Sequence, residues 1–155
     1  MRIRICAVGR LRGGPEADMV NDYLTRFDRT GRALGLGPAE IVEVEAKKGG
    51  KSGEASLLQR VLPANALTCV LDERGKLEAS PAFANRMMTW RDDGTSDLAF
   101  LIGGADGLDA SLRNDAHHAL SFGPMVWPHM MVRIMLAEQL YRAASILSRS
   151  PYHRA

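Results

Sequence analysis

The stretch Leu98-Ala99-Phe100-Leu101-Ile102-Gly103-Gly104-Ala105-Asp106-Gly107 carries the strongest statement about fold class. Its unbroken apolar run suits a strand covered on both faces, which is how strands of parallel sheets sit between layers of helix. The glycines that follow end the strand in a tight turn. They also let backbone groups approach a ligand with no Cβ in the way. On either side the same pattern recurs. Residues 66–71 form another apolar run, closed by the polar turn Asp72-Glu73-Arg74-Gly75-Lys76. Residues 2–8 read as a first strand ending at Gly9, residues 41–44 as a second, and residues 118–122 as a last short one. Helical patterns lie between them. Residues 15–34 carry Met19, Tyr23, Phe27 and Leu34 near helical spacing, with Pro15 suited to a first turn. Residues 54–62 and 110–116 are shorter helices. Residues 80–91 form one that starts with Ser80 as N-cap and Pro81 at the first helical position. A long helix follows Pro128 to about residue 148. Val132, Leu136, Leu140, Ala143 and Leu147 make its apolar stripe, and Arg133 and Arg142 fall outside it. Strands alternating with helices predict an α/β fold with a mostly parallel sheet flanked by helices, in one domain spanning residues 1–155.

Composition narrows the class. The chain has 155 residues, 46% hydrophobic and 25% charged, which are globular values. No stretch approaches the roughly 18–20 apolar residues of a membrane helix. The opening Met-Arg-Ile-Arg-Ile is too charged for a signal peptide, so a cytoplasmic location is expected. Cys6 and Cys69 sit inside apolar runs and are expected to be buried thiols. With no CxxC spacing and no neighbouring histidine, no metal is expected. Net charge is only +2, too small to announce a nucleic-acid binder. Its distribution says more: Lys47, Lys48 and Lys51 share one glycine-rich loop, and Arg133, Arg142, Arg149, His153 and Arg154 gather towards the C-terminus.

In an open α/β sheet, ligands bind beyond the C-terminal ends of the strands. Three loops there have suitable composition: residues 71–76, residues 103–107 and residues 122–129. Leu71, Val126 and Trp127 offer apolar surface for a flat adenine ring. Neither a GxGxxG fingerprint nor a GxxxxGK[ST] phosphate loop is present, which disfavours dinucleotide and nucleoside triphosphate sites. Polar groups crowd the last helix and tail, with His129, Arg133, Glu138, Arg142, Tyr152, His153 and Arg154 in one short span. No Ser-His-Asp or Cys-His arrangement accompanies them.

Several of these segments together resemble one family. The run Pro128-His129-Met130-Met131-Val132-Arg133, continuing through Ala137-Glu138-Gln139-Leu140-Tyr141-Arg142-Ala143, is similar to the signature of the RlmH family of SPOUT methyltransferases. The tail Pro151-Tyr152-His153-Arg154, the segment 101–108, Leu71-Asp72 with Gly75-Lys76, and Ala7-Val8-Gly9 resemble it too. The resemblance implies a SPOUT α/β fold whose C-terminal segment threads a loop to make a deep trefoil knot. It implies S-adenosyl-L-methionine as cofactor, held by Leu71, Gly103, Gly104, Phe122, Gly123, Pro124, Met125, Val126 and Trp127. It implies a homodimer in which each site is completed by the partner, with no membrane association. It implies a 23S rRNA stem-loop in the assembled ribosome as substrate, methylated at N3 of a pseudouridine. Chemistry then assigns candidate roles. His129 and His153 are candidates to move a proton. Arg133, Arg142 and Arg154 suit phosphate or carbonyl contacts, and Tyr152 suits stacking on a base. Two other readings stand beside this one: a non-catalytic ribosome- or RNA-binding factor with the same fold, and a nucleotide-binding α/β protein of another type.

Overall fold

The structure is a computed structural model that describes residues 1–48 and 50–154. Gly49, part of the glycine-rich loop read from the sequence, lies outside the described residues, as does Ala155. Five strands form one sheet in the order β2-β1-β4-β3-β5, and every pairing is parallel. β1 (Arg2–Val8) and β4 (Asp97–Ile102) lie inside it, β2 (Ala39–Val44) and β5 (His118–Ser121) form its edges, and β3 (Leu67–Leu77) runs between β4 and β5. Side chains alternate between the two faces of the sheet with the two-residue period of a strand. Ile3, Ile5, Ala7, Leu98, Phe100 and Ile102 face a layer made by α1 (Pro15–Gly31), α3 (Ser80–Asp92) and α5 (His129–Leu147). Cys6, Val8, Val70 and Leu101 face α2 (Gly50–Arg60) and α4 (Ala110–Asp115). The interior strands are therefore apolar on both faces, as the run 98–102 requires. Each large side chain buried there contributes about 1.5–3 kcal/mol. Both cysteines are free and buried.

Three local readings change in the folded chain. Asp72 to Lys76 do form an excursion, but pairing resumes beyond it. Leu71 and Lys76 both register with Leu120, so β3 continues to Leu77 with residues 72–75 looped out. Gly75 makes this return feasible, because a Cβ there would lie 2.8 Å from the backbone of Ala119. Ser80 is not the N-cap of α3. The cap is Ala79, with no side-chain hydrogen bond, and Ser80 Oγ donates instead to Gln139 Oε1 on α5 at 2.8 Å. A partner from another element displaces the local one. The third change is Arg133. It sits outside the aliphatic stripe yet is fully buried, because the N-terminal turn of α5 passes over the ends of β1 and β2.

Candidate active site

Backbone turns build the floor of the site. Beyond β4 the chain closes on itself, with Gly107 N donating to Gly104 O at 3.0 Å. A Cβ on Gly103 would lie 2.7 Å from the Gly107 carbonyl carbon, so only glycine permits this closure. Leu108 anchors the turn in the core. Beyond β5, Ser121 is buried, and its hydroxyl lies 3.1 Å from Glu73 O and 3.2 Å from Gly123 O while accepting from Gly123 N at 3.1 Å. A hydroxyl has one proton, so it donates to one of those carbonyls at a time. This serine couples the loop after β5 to the excursion in β3. Nothing in its local sequence context marked it.

These loops enclose a cavity of about 260 Å³ at the C-terminal ends of the strands. Of the residues named from the sequence, Leu71, Gly103, Gly104, Phe122, Gly123, Met125, Val126 and Trp127 line it. Pro124 is exposed and does not. Met125, Val126 and Trp127 are 69%, 85% and 39% exposed, so apolar surface stands uncovered at the cavity's edge. Lys51 of the glycine-rich loop and Arg74 of the turn after Leu71 line it too, as does Arg113, which sequence reading did not single out and whose Nε lies 3.6 Å from Asp72 Oδ2.

His129, at the start of α5, also lines the cavity. Both of its ring nitrogens are buried without a hydrogen-bond partner among the described residues. Burial, then the Arg133 charge, lowers its pKa below the ordinary value of 6.5. The ring is therefore neutral at pH 7. Arg133 lies beneath it. Its Nη1 donates to Glu43 Oε2 at 3.0 Å, and its Nη2 donates to Val8 O at 2.6 Å and Gly9 O at 2.8 Å. Burial lowers its pKa and Glu43 opposes the shift. A guanidinium stays charged throughout, so Arg133 is a fixed cation that ties α5 to the ends of β1 and β2. Glu43 also accepts from Leu11 N at 2.6 Å, pinning the loop after β1. Reading the sequence missed Glu43, which looks like any outward-facing carboxylate on an edge strand.

Arg142, Tyr152 and His153 meet elsewhere. Glu138 Oε1 accepts from Arg142 Nε at 2.9 Å and from Tyr152 Oη at 3.0 Å. Arg142 Nη1 lies 3.3 Å from His153 Nδ1. Arginine has only donors, so Nδ1 accepts and a ring proton belongs on Nε2. Arg142 stacks over the Tyr152 ring at 4.8 Å, and Tyr152 packs on Tyr141 at 4.4 Å. Burial, then Glu138, raises the Tyr152 pKa, so its hydroxyl stays protonated. Arg154 is exposed. None of these four residues lines the cavity. At 1.5 Å per helical residue, Glu138 and Arg142 lie about 14 and 20 Å along α5 from His129. The structure thus gathers His129 with the loops and leaves the tail cluster apart.

A family profile described as "Predicted SPOUT methyltransferase" matches residues 1–153. The chain belongs to the SPOUT methyltransferase family. Curated relatives match this SPOUT chain from end to end. A protein from Ruegeria pomeroyi named "Ribosomal RNA large subunit methyltransferase H" is 67% identical over 155 residues, covering 99% of each sequence. One of the same name from Dinoroseobacter shibae is 65% identical with the same coverage. Among solved structures, one titled "Crystal Structure of Probable Methyltransferase from Bordetella pertussis Tohama I" superposes with a TM-score of 0.52. It covers 92% of this chain and 96% of that one at 15% identity, a likeness of fold alone. No helix among the described residues of this SPOUT chain is long and apolar enough to cross a membrane.

Proposed function

We propose that this protein methylates large-subunit ribosomal RNA, using S-adenosylmethionine as methyl donor. The observation that carries the reading is its 67% identity, over 99% of both chains, to a protein named for that reaction. The cavity supports the cofactor. Its glycine-lined floor exposes backbone groups for polar contacts, and the uncovered side chains of Met125, Val126 and Trp127 suit an adenine face. The finer reading is N3-methylation of a pseudouridine in a 23S rRNA stem-loop of the assembled ribosome, by a cytoplasmic homodimer whose C-terminal segment is knotted.

When bound, S-adenosylmethionine would supply an activated sulfonium methyl. The chain's own task is then to align the acceptor and remove one proton. Methylation at N3 would exchange the N3 proton for that methyl, so the proton would need a base to receive it. His129 suits that acceptor role because its ring is neutral at pH 7, borders the cavity and has both nitrogens without a hydrogen-bond partner among the described residues. Arg133 and Glu43 would hold α5 and the β1 and β2 ends in position, making Arg133 a positioning group rather than a substrate contact. Arg142, Tyr152, His153 and Arg154 suit the acceptor RNA, and their distance from the cavity of their own chain favours delivery to a partner's cavity. The test is methyl transfer from labelled cofactor to ribosomes lacking the modification, with mapping of the labelled nucleotide. Label in 23S rRNA at a pseudouridine is expected. Saturable cofactor binding by calorimetry without transfer to any ribosomal RNA would leave a binding factor instead.

A further inference from the structure

Charge is spread unevenly over this molecule. The loop after β1, residues 9–14, carries Arg10 and Arg12. The loop after β2 and the first turn of α2, residues 45–51, carry Lys47, Lys48 and Lys51 against Glu45. These thirteen residues hold a net charge of +4, whereas the whole chain holds +2, so everything else is net negative. The two loops are neighbours because β1 and β2 run parallel in register, Val8 beside Val44, with Gly9 N donating to Val44 O at 2.8 Å.

The two ends of the sheet treat their cations differently. At the N-terminal ends of the strands, Arg2 is matched by Asp97 and Arg4 by Glu40. At the C-terminal ends, one carboxylate serves two arginines, with Glu45 3.4 Å from Arg10 and 3.7 Å from Arg12. Arg10, Arg12, Lys47 and Lys48 are all exposed, and among the described residues neither Lys47 nor Lys48 forms an ion pair. Neutral surfaces pair their charges as the first end does. An end with cations to spare attracts a polyanion, which gains by releasing the counterions it carried. The loop after β1 is also held in place, by Leu11 N on Glu43.

This rim adjoins the cavity directly. Lys51 lines it, and Gly9, immediately before Arg10, packs against His129, which lines it as well. We infer that the rim formed by Arg10, Arg12, Lys47 and Lys48 is a docking surface for the phosphate backbone of the substrate RNA, flanking the acceptor base rather than reading it. The inference rests on the functional reading above and adds a surface separate from the C-terminal tail. Contacts of this kind set register and affinity without sequence preference. They also release counterions, so binding weakens as salt rises.

The experiment compares two double variants with equal charge loss. K47Q/K48Q removes rim cations. R29Q/R32Q removes exposed cations at the far end of α1, by the N-terminal ends of β1 and β2. Ribosome affinity is measured from low to moderate salt, with S-adenosylmethionine binding by calorimetry as a check on folding. For K47Q/K48Q the slope of log affinity against log salt is expected to shrink by about one per lost contact, and so by about two. Affinity at low salt should fall at least tenfold, with cofactor binding unchanged. R29Q/R32Q should match the parent protein. Equal slopes for both variants and the parent overturn the docking surface while leaving the methyltransferase reading intact. A parent protein that binds cofactor but no ribosome defeats that reading itself, and the surface with it.

Discussion

His129 and Arg133 stand one turn apart on the same face of α5 and divide the work expected of cationic residues at this site. Arg133 is held by two carbonyls and a carboxylate, with its Nε left unpartnered among the described residues, and its charge disfavours a second cation nearby. That charge, added to burial, keeps the His129 ring unprotonated. The sign of the resulting pH dependence follows. A proton acceptor whose pKa is lowered stays competent at neutral pH, and competence is lost as pH falls through the lowered value. Single-turnover methyl transfer should therefore decline on the acid side, with its midpoint below the ordinary histidine value of 6.5. H129A should remove that acidic decline and slow transfer by about 100-fold, at the lower end of general-base effects. Full turnover by H129A on ribosomes would take the histidine out of the chemistry. The sequence shows His129 and Arg133 on consecutive turns of the helix, but not that strand ends 125 residues away leave only one of them free.

Among the elements, β3 shows how a strand serves both packing and site. Its first half is core, with Cys69 and Val70 buried. Its second half leaves the sheet at Leu71, lines the cavity with Asp72 to Arg74, and re-pairs at Lys76. The excursion depends on Gly75 lying against the Ala119 backbone and on Ser121 bridging the two loops. G75A would drive a methyl group into backbone that cannot rotate away. We expect a loss of about 2 kcal/mol in stability by denaturant unfolding, within the range for overpacking, together with weaker cofactor binding as the Leu71 loop shifts. Unchanged stability and unchanged calorimetric affinity would show that the loop does not depend on this contact. The apolar run of residues 66–71 was legible as a strand, and the polar turn after it as a loop. The return to the same partner strand was not, because register is settled by β5, more than forty residues later.

For the whole molecule, the separation of tail and cavity is the feature with most consequence. Arg142, Tyr152 and His153 form a tight cluster with Glu138, yet lie far along α5 from His129. Two chains could each supply what the other lacks. Mixing H129A with R142A, each strongly impaired alone, should then raise methyl transfer well above that of either variant once subunits exchange, up to about a quarter of the parent rate if half the dimers are mixed and each has one intact site. No recovery, with exchange verified by labelled subunits, would place every required group in one chain. The same architecture explains how much of the site could be read in advance. That Leu71, Gly103, Gly104 and the loop after β5 meet at one cavity was legible because strand ends converge in any parallel sheet, while their part in holding a cofactor came from the resemblance alone.

The order of strands and helices, the doubly buried strands and the glycine turns follow from local patterns alone. Periodicity of two or 3.6 residues and the conformational reach of glycine act over a few residues, and no distant partner is needed to express them. Whether Arg133 met solvent or carbonyls, whether β3 re-paired after its excursion, and whether the tail reached its own cavity depended on which remote segments came to lie alongside. Those outcomes reflect burial and hydrogen bonding between parts of the chain up to 125 residues apart, and such contacts exist only once the sheet has assembled.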